Sequence, residues 1–404
     1  MRRTALLAVG MCGLTAGLVW GDAAVIDSVA GTGQAGYAGD GGPAVKALLN
    51  QPFHCELAHE GDVPVLYIAE AFNHCVRKVD LMTGTIRTVA GTGQRGYTGD
   101  GGPATKATFN EPYAVVADAE GNLCIVDRLN AVVRKVDRRT GIVSTLAGTG
   151  QKGSAGDGGP ADKALLREPN DCCLDGRGGL LIADVGDWRI RRVDLKTGII
   201  TTFAGTGRVA GKIDRAALGD GGPAAKAVIP GARAVCVDGR GNTYICEREG
   251  NAIRKVDAAG TITTVAGTGM RGYTGDGGDA RRATFNGPKG IRCDSAGNIY
   301  VVDTENHAIR RIDAKTNIVT TVAGGRKGAG GDGGAARAAG LDRPHGCVVA
   351  PDGTLYIADS NNHRVRRVRP PILGGRGSRR AGRVSSAGAS PSRPRRRGGM
   401  SIEL

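Results

Sequence analysis

The chain has 404 residues, with 54 Lys and Arg against 39 Asp and Glu, a formal net charge of +15. Glycine supplies 68 positions without a three-residue period, which excludes a collagen-like chain and points to many tight turns, and aromatic residues make up only 4%. This composition fits a core of Val, Ile, Leu and Ala in short strands, in one large or two average domains.

Residues 1–23 read as an export signal. Arg2 and Arg3 precede the apolar run "ALLAVGMCGLTAGLVW" (Ala5–Trp20), which is short for a bilayer and ends near small residues at Ala23. An uncleaved anchor is the alternative. Cleavage would leave a secreted or periplasmic protein with no membrane span. Cys12 would leave with the signal, and the other nine cysteines show neither zinc spacing nor a disulfide framework.

The chain then repeats. The words "RKVD" or their variants end at Asp80, Asp137, Asp194, Asp257 and Asp313, with "RRVR" ending at Arg369, at intervals of 57, 57, 63, 56 and 56. Within residues 86–137, "IRTVAG" leads into a long Gly-rich loop, followed by "PYAVVAD", "LCIVD" and "VVRKVD" between Gly, Asn and Asp turns. Four strands per unit, six times over, predict an all-β, six-bladed β-propeller across residues 24–369. The first segment, Val25–Gly31, matches an outermost strand and the last unit lacks one. The N-terminal strand is therefore expected to complete the final blade and close the ring.

The segments "PKGIRCDSAGNIYVVDTENHAIRRID" (Pro288–Asp313) and "PHGCVVAPDGTLYIADSNNHRVRRVR" (Pro344–Arg369) carry a pattern that resembles the NHL repeat. The resemblance covers all six units and implies the propeller fold. For function it implies only a range, from protein-binding and RNA-binding scaffolds to receptor sensors and a few lyases or hydrolases.

Each unit also repeats "GDGG", at Asp40, Asp100, Asp157, Asp220, Asp276 and Asp332. One such loop could cradle a phosphate, but sixfold copying fits a crossover that joins each blade to the next, with Asp bracing the loop and Pro43, Pro103, Pro160 and Pro223 in a first helical turn. One carboxylate per loop falls short of a calcium site. The acids ending each second strand, such as Glu70 and Asp127, recur in the same way and are expected to make structural bonds. So are the turn residues His74, His307 and His363.

Recurrence marks structure, so function is sought where equivalent positions differ. The residue after the inner-strand proline, or after Ala232 in blade four, should sit near the central channel mouth: Phe53, Tyr113, Asn170, Arg233, Lys289 and His345. The next position adds His54 and Asp171. On the same face, the second-to-third strand turns bring Trp188, Arg128 and Arg248 as candidate partner contacts.

These residues favour a scaffold, a monomer holding a protein or glycan ligand without a cofactor. The alternative is a metal-dependent lyase or hydrolase, with a divalent metal on His54, Asp171 and His345, and with Arg233 and Lys289 steadying an anionic substrate. Against it, His54 and His345 occupy adjacent repeat positions and should point to opposite sides of a strand. Nucleic acid is not the expected partner, because the propeller's positive charge recurs blade by blade. Residues 370–404, with eight Arg and one acid, are expected to be a disordered tail.

Overall fold

The computed structural model describes residues 24–208 and 213–370. The expected signal segment and the Arg-rich tail lie outside these residues, as do residues 209–212 of the insertion in blade four.

The described residues form six antiparallel sheets of four strands each. In blade one the chain runs outward from the axis through β2 (Pro52–Glu60), β3 (Val63–Glu70), β4 (Cys75–Asp80) and β5 (Ile86–Ala90). Four more blades follow this order. The sixth is completed by β1 (Val25–Ala30), which pairs with Arg364–Arg369 in the register Val25↔Arg369 and Ile26↔Val368. The ring closes as the termini of the repeat suggest, so no blade lacks its outer strand.

The core lies between the blades. Val65, Tyr67 and Val76 of blade one pack against Phe109, Val115 and Ile125 of blade two. Fully burying one such side chain contributes about 1.5–3 kcal/mol. Alternation along each strand gives both sheet faces an apolar row, so every blade has a neighbour to bury against on each side.

The GDGG loops are the crossovers. Asp100 accepts Nε and Nη2 of Arg134, at 2.9 and 2.6 Å, and the backbone N–H of Thr145 at 3.1 Å. Arg134 is fully buried in the third strand, stacked 5.0 Å from the Phe109 ring. One carboxylate thus ties the loop to the third and outer strands of the blade it enters. Asp157 repeats the device with Arg191 and Thr202, and Asp276 with Arg310 and Thr321. In the closing blade, Asp332 meets Arg366 at 2.7 Å and the Ser28 hydroxyl at 2.7 Å, so the same clamp fastens the N-terminal strand. The loop helices are single 3-10 turns such as Ala44–Lys46. Pro43 sits at the cap before the turn and not within it, because its extended ψ of 126° precedes the helical residues.

The second-strand acids and the histidine turns are structural as well. Asp127 accepts the Asn110 N–H at 2.7 Å and the Asn130 amide at 2.8 Å, while Asn130 also donates to Gly96 O at 2.8 Å. His74, His307 and His363 adopt left-handed backbone conformations. Each accepts, at Nδ1, a backbone N–H from the next blade, as in Arg343 N to His307 at 3.0 Å.

Candidate functional site

Each inner strand begins at the crossover face, and in blades one to four it begins with a bulge. Pro52 pairs with Glu70 and His54 with Ala69, which leaves Phe53 without a partner; Tyr113, Asn170 and Arg233 occupy the same place. A bulge at such a rim re-aims a side chain. It also overturns the expectation that adjacent positions face opposite ways. Phe53, His54, Asn170, Asp171, Lys289 and His345 all line one cavity on the axis, of about 10 Å³. That is room for roughly one water molecule.

The mouth residues pack on one another. Phe53 stacks on the His345 ring at 4.2 Å and tilts against Tyr113 at 4.6 Å. Arg233 lies over the Tyr113 ring at 4.8 Å, and its Nη2 meets the Tyr113 hydroxyl. Lys289 Nζ reaches Glu305 at 3.0 Å and His345 Nε2 at 3.4 Å. Arg343 O, 2.8 Å from His345 Nδ1, can only accept, so Nδ1 carries the proton and Nε2 is left as the acceptor. Burial, reinforced by Lys289 and Arg233, holds His345 well below the usual histidine range, and it stays neutral. Burial, with Arg233 beside it, lowers Lys289 to about 8.

A second layer, which sequence reasoning missed, closes the channel beneath. Arg292, four residues beyond Pro288, extends across the axis. Its Nη1 and Nη2 bind the two oxygens of Asp171 at 3.1 and 3.2 Å, and Nη2 also meets His54 Nε2. One guanidinium therefore joins blades five, three and one. Burial and this neighbouring charge lower His54 to about 3, and burial pushes Glu56 up to about 7 despite the attraction of Arg292. The channel is tight here because Gly290 and Gly346 bring inner strands together. A Cβ at Gly346 would stand 2.7 Å from Phe53 O. The signal was in the sequence two positions further along the strand, where the six blades read Glu56, Val116, Cys173, Cys236, Arg292 and Val348.

The three metal candidates do not form a ligand set. Arg292 occupies the space between His54 and Asp171, and His345 is turned onto Arg343 O. Among the described residues no group of three or more His, Cys, Asp or Glu is arranged to hold a metal ion.

Of the expected partner contacts, Arg128 is half-buried and bridges Glu111 and Glu168 on adjacent blades, while Arg248 is exposed beside Glu249 at 3.3 Å. Trp188 is corrected by the structure. It takes the left-handed turn position that histidine holds in other blades, with only 6% of its surface exposed and the Arg208 guanidinium 5.7 Å from its ring. It packs the turn and does not project from it. Larger clefts, of about 480 and 340 Å³, lie at the opposite ends of the inner strands between blades three, four and five. Their walls are recurring Asp turns whose carboxylates are already satisfied, as Asp238 is by Asn242.

The comparisons agree with this architecture. The family model described as NHL repeat matches residues 341–368, and that described as teneurin NHL domain matches residues 269–330. The protein is an NHL-repeat β-propeller. This NHL propeller is 30% identical over 290 residues to Protein SUPPRESSOR OF QUENCHING 1, chloroplastic, of Arabidopsis thaliana, covering 69% of this chain and 27% of that protein. It is 27% identical to human NHL repeat-containing protein 2, covering 64% of this chain and 39% of that one. It is 26% identical to zebrafish (Danio rerio) Teneurin-3, covering 81% and 11%. The chain thus spans less than half the length of these relatives. Among solved structures, an auxiliary nutrient binding protein from Bacteroides ovatus aligns with a TM-score of 0.59 at 17% identity, over 86% of this chain and 77% of that one. That likeness is one of fold.

Proposed function

We propose that this NHL propeller is an exported, monomeric binding scaffold that holds a protein or glycan partner on its crossover face, centred on the channel mouth. The observation that carries the reading is the contrast between two kinds of position. Crossover Asp, third-strand Arg and second-strand acid recur around the ring and are consumed in bonds that hold blades together. The six residues at the equivalent mouth position are all different, and they form a packed aromatic and cationic floor above a channel plugged by Arg292. A ligand arriving at this face would meet a shallow, chemically distinct surface.

Screening the full chain against arrayed peptides and glycans tests the proposal. A ligand whose binding is lost on Tyr113→Ala or Lys289→Gln, and kept on Arg240→Ala at the opposite face, supports it. A ligand lost only on Arg240→Ala would move the binding face to the clefts there.

A further inference from the structure

We infer that the mouth takes the carboxylate of an organic acid, seated on Arg233 with its apolar body against Phe53 and Tyr113. This rests on the scaffold reading and gives its ligand a chemistry. The first observation is an imbalance. Arg77, Arg134, Arg191, Arg254, Arg310 and Arg366 are buried, and each has a carboxylate within 4 Å. Arg233 is buried, at 6% exposed, yet among the described residues no carboxylate lies within ion-pair distance of it. Among the described residues its one hydrogen-bond partner is the Tyr113 hydroxyl, and its Nε has none. Arg128, Arg248 and Lys289 add further positive charge around it.

A guanidinium does not give up its proton, and Glu168 attracts this one only from beyond ion-pair distance, so its burial stays costly. A bound anion removes that cost. Carboxylate is favoured over phosphate for two reasons. The planar fork of Arg matches two carboxylate oxygens. The rim acids Glu111, Glu168 and Glu305 would repel a dianion more than a monoanion. Asn170 supplies a second clue at the equivalent position of the neighbouring blade. It is 1% exposed and its Oδ1 is an unpaired acceptor, suited to an N–H or O–H beside the acid group. The exposed margins of Phe53 and Tyr113, 8% and 6% of each residue, supply the apolar contact at the rim.

Thermal melts and calorimetric titration of the full chain, in buffer free of carboxylates and phosphate, provide the test. Benzoate is the probe, with benzamide and inorganic phosphate as comparisons. The expected result is a rise in melting temperature with benzoate and none with benzamide. Arg233→Met should abolish that rise while melting no lower than the wild type without ligand, since it removes an uncompensated charge. Arg233→Lys keeps the charge without the fork and should bind benzoate about tenfold more weakly. Equal responses to benzoate and benzamide, a larger response to phosphate, or a benzoate response unchanged in both variants would overturn the inference. If the chain keeps an array ligand on this face but ignores benzoate, the carboxylate assignment fails while the scaffold reading stands.

Discussion

Arg292 of blade five binds Asp171 of blade three through both ends of its guanidinium, at 3.1 and 3.2 Å, across the centre of the ring. No backbone bond connects these two strands, so the pair acts as a strut spanning the axis. Removing one partner strands the other. Arg292→Met is expected to cost about 3–5 kcal/mol in denaturant unfolding. Adding Asp171→Leu should recover more than half of that loss. A double variant as unstable as the sum of its parts would show that the pair does not act as a unit.

The crossover clamps are predicted to be interchangeable in energy. Asp100→Ala, Asp157→Ala and Asp276→Ala each leave a buried arginine short of its best acceptor, and each should lower stability by about 1–3 kcal/mol. Urea midpoints of the three variants check this. A loss confined to one of them would mark that loop as special and break the sixfold argument.

Glu56 carries a pH dependence whose sign follows from burial. Its carboxyl is raised from 4.5 to about 7 in the folded protein, against the attraction of Arg292 and with Asp171 adding repulsion. The folded state therefore holds this proton more tightly than the unfolded one. The stabilising contribution is complete below about pH 4.5 and fades as pH rises through 7. Glu56→Gln should match the wild type near pH 4.5 and melt a few degrees higher at pH 8. Melting curves at the two pH values decide it, and a variant less stable at pH 8 would refute this account of Glu56.

Cys236 and Cys293, on the inner strands of blades four and five, have sulfurs 3.2 Å apart, and Cys293 is partly exposed. The other seven described cysteines are buried. Treating the native protein with oxidised glutathione should close this pair first, leaving reduced glutathione and a mass two units lower. Peptide mapping should find the bond between these two residues. Rapid alkylation of the buried cysteines in the native state would contradict it.

The intervals between "RKVD" words made the blades legible, and the unmatched first and last segments made ring closure legible, because both are matters of count. The crossover Asp could be read as structural for the same reason. The site was harder. Period-two alternation assigns His54 and His345 to opposite sides, but a single bulged residue, Phe53, breaks that period, and Pro52 before it marks a strand start as readily as a bulge. Trp188 looked like a contact because tryptophan is rare here, whereas its place in the repeat, that of His307 and His363, already marked it as a turn residue. Arg292 lies one layer below the mouth, three positions beyond the residues that vary there. Its length lets it act on two distant blades, and linear spacing does not show this.

The central claim is that recurring residues build this propeller and unlike ones give it its function. The most direct measurement sets stability beside ligand binding for Asp157→Ala and Tyr113→Ala in the full chain, using the array ligand. The account predicts that Asp157→Ala melts lower yet binds, while folded, as the wild type does, and that Tyr113→Ala, which also costs stability because its ring is buried, loses the ligand while still folded. Binding lost with Asp157 and untouched by Tyr113 would contradict it.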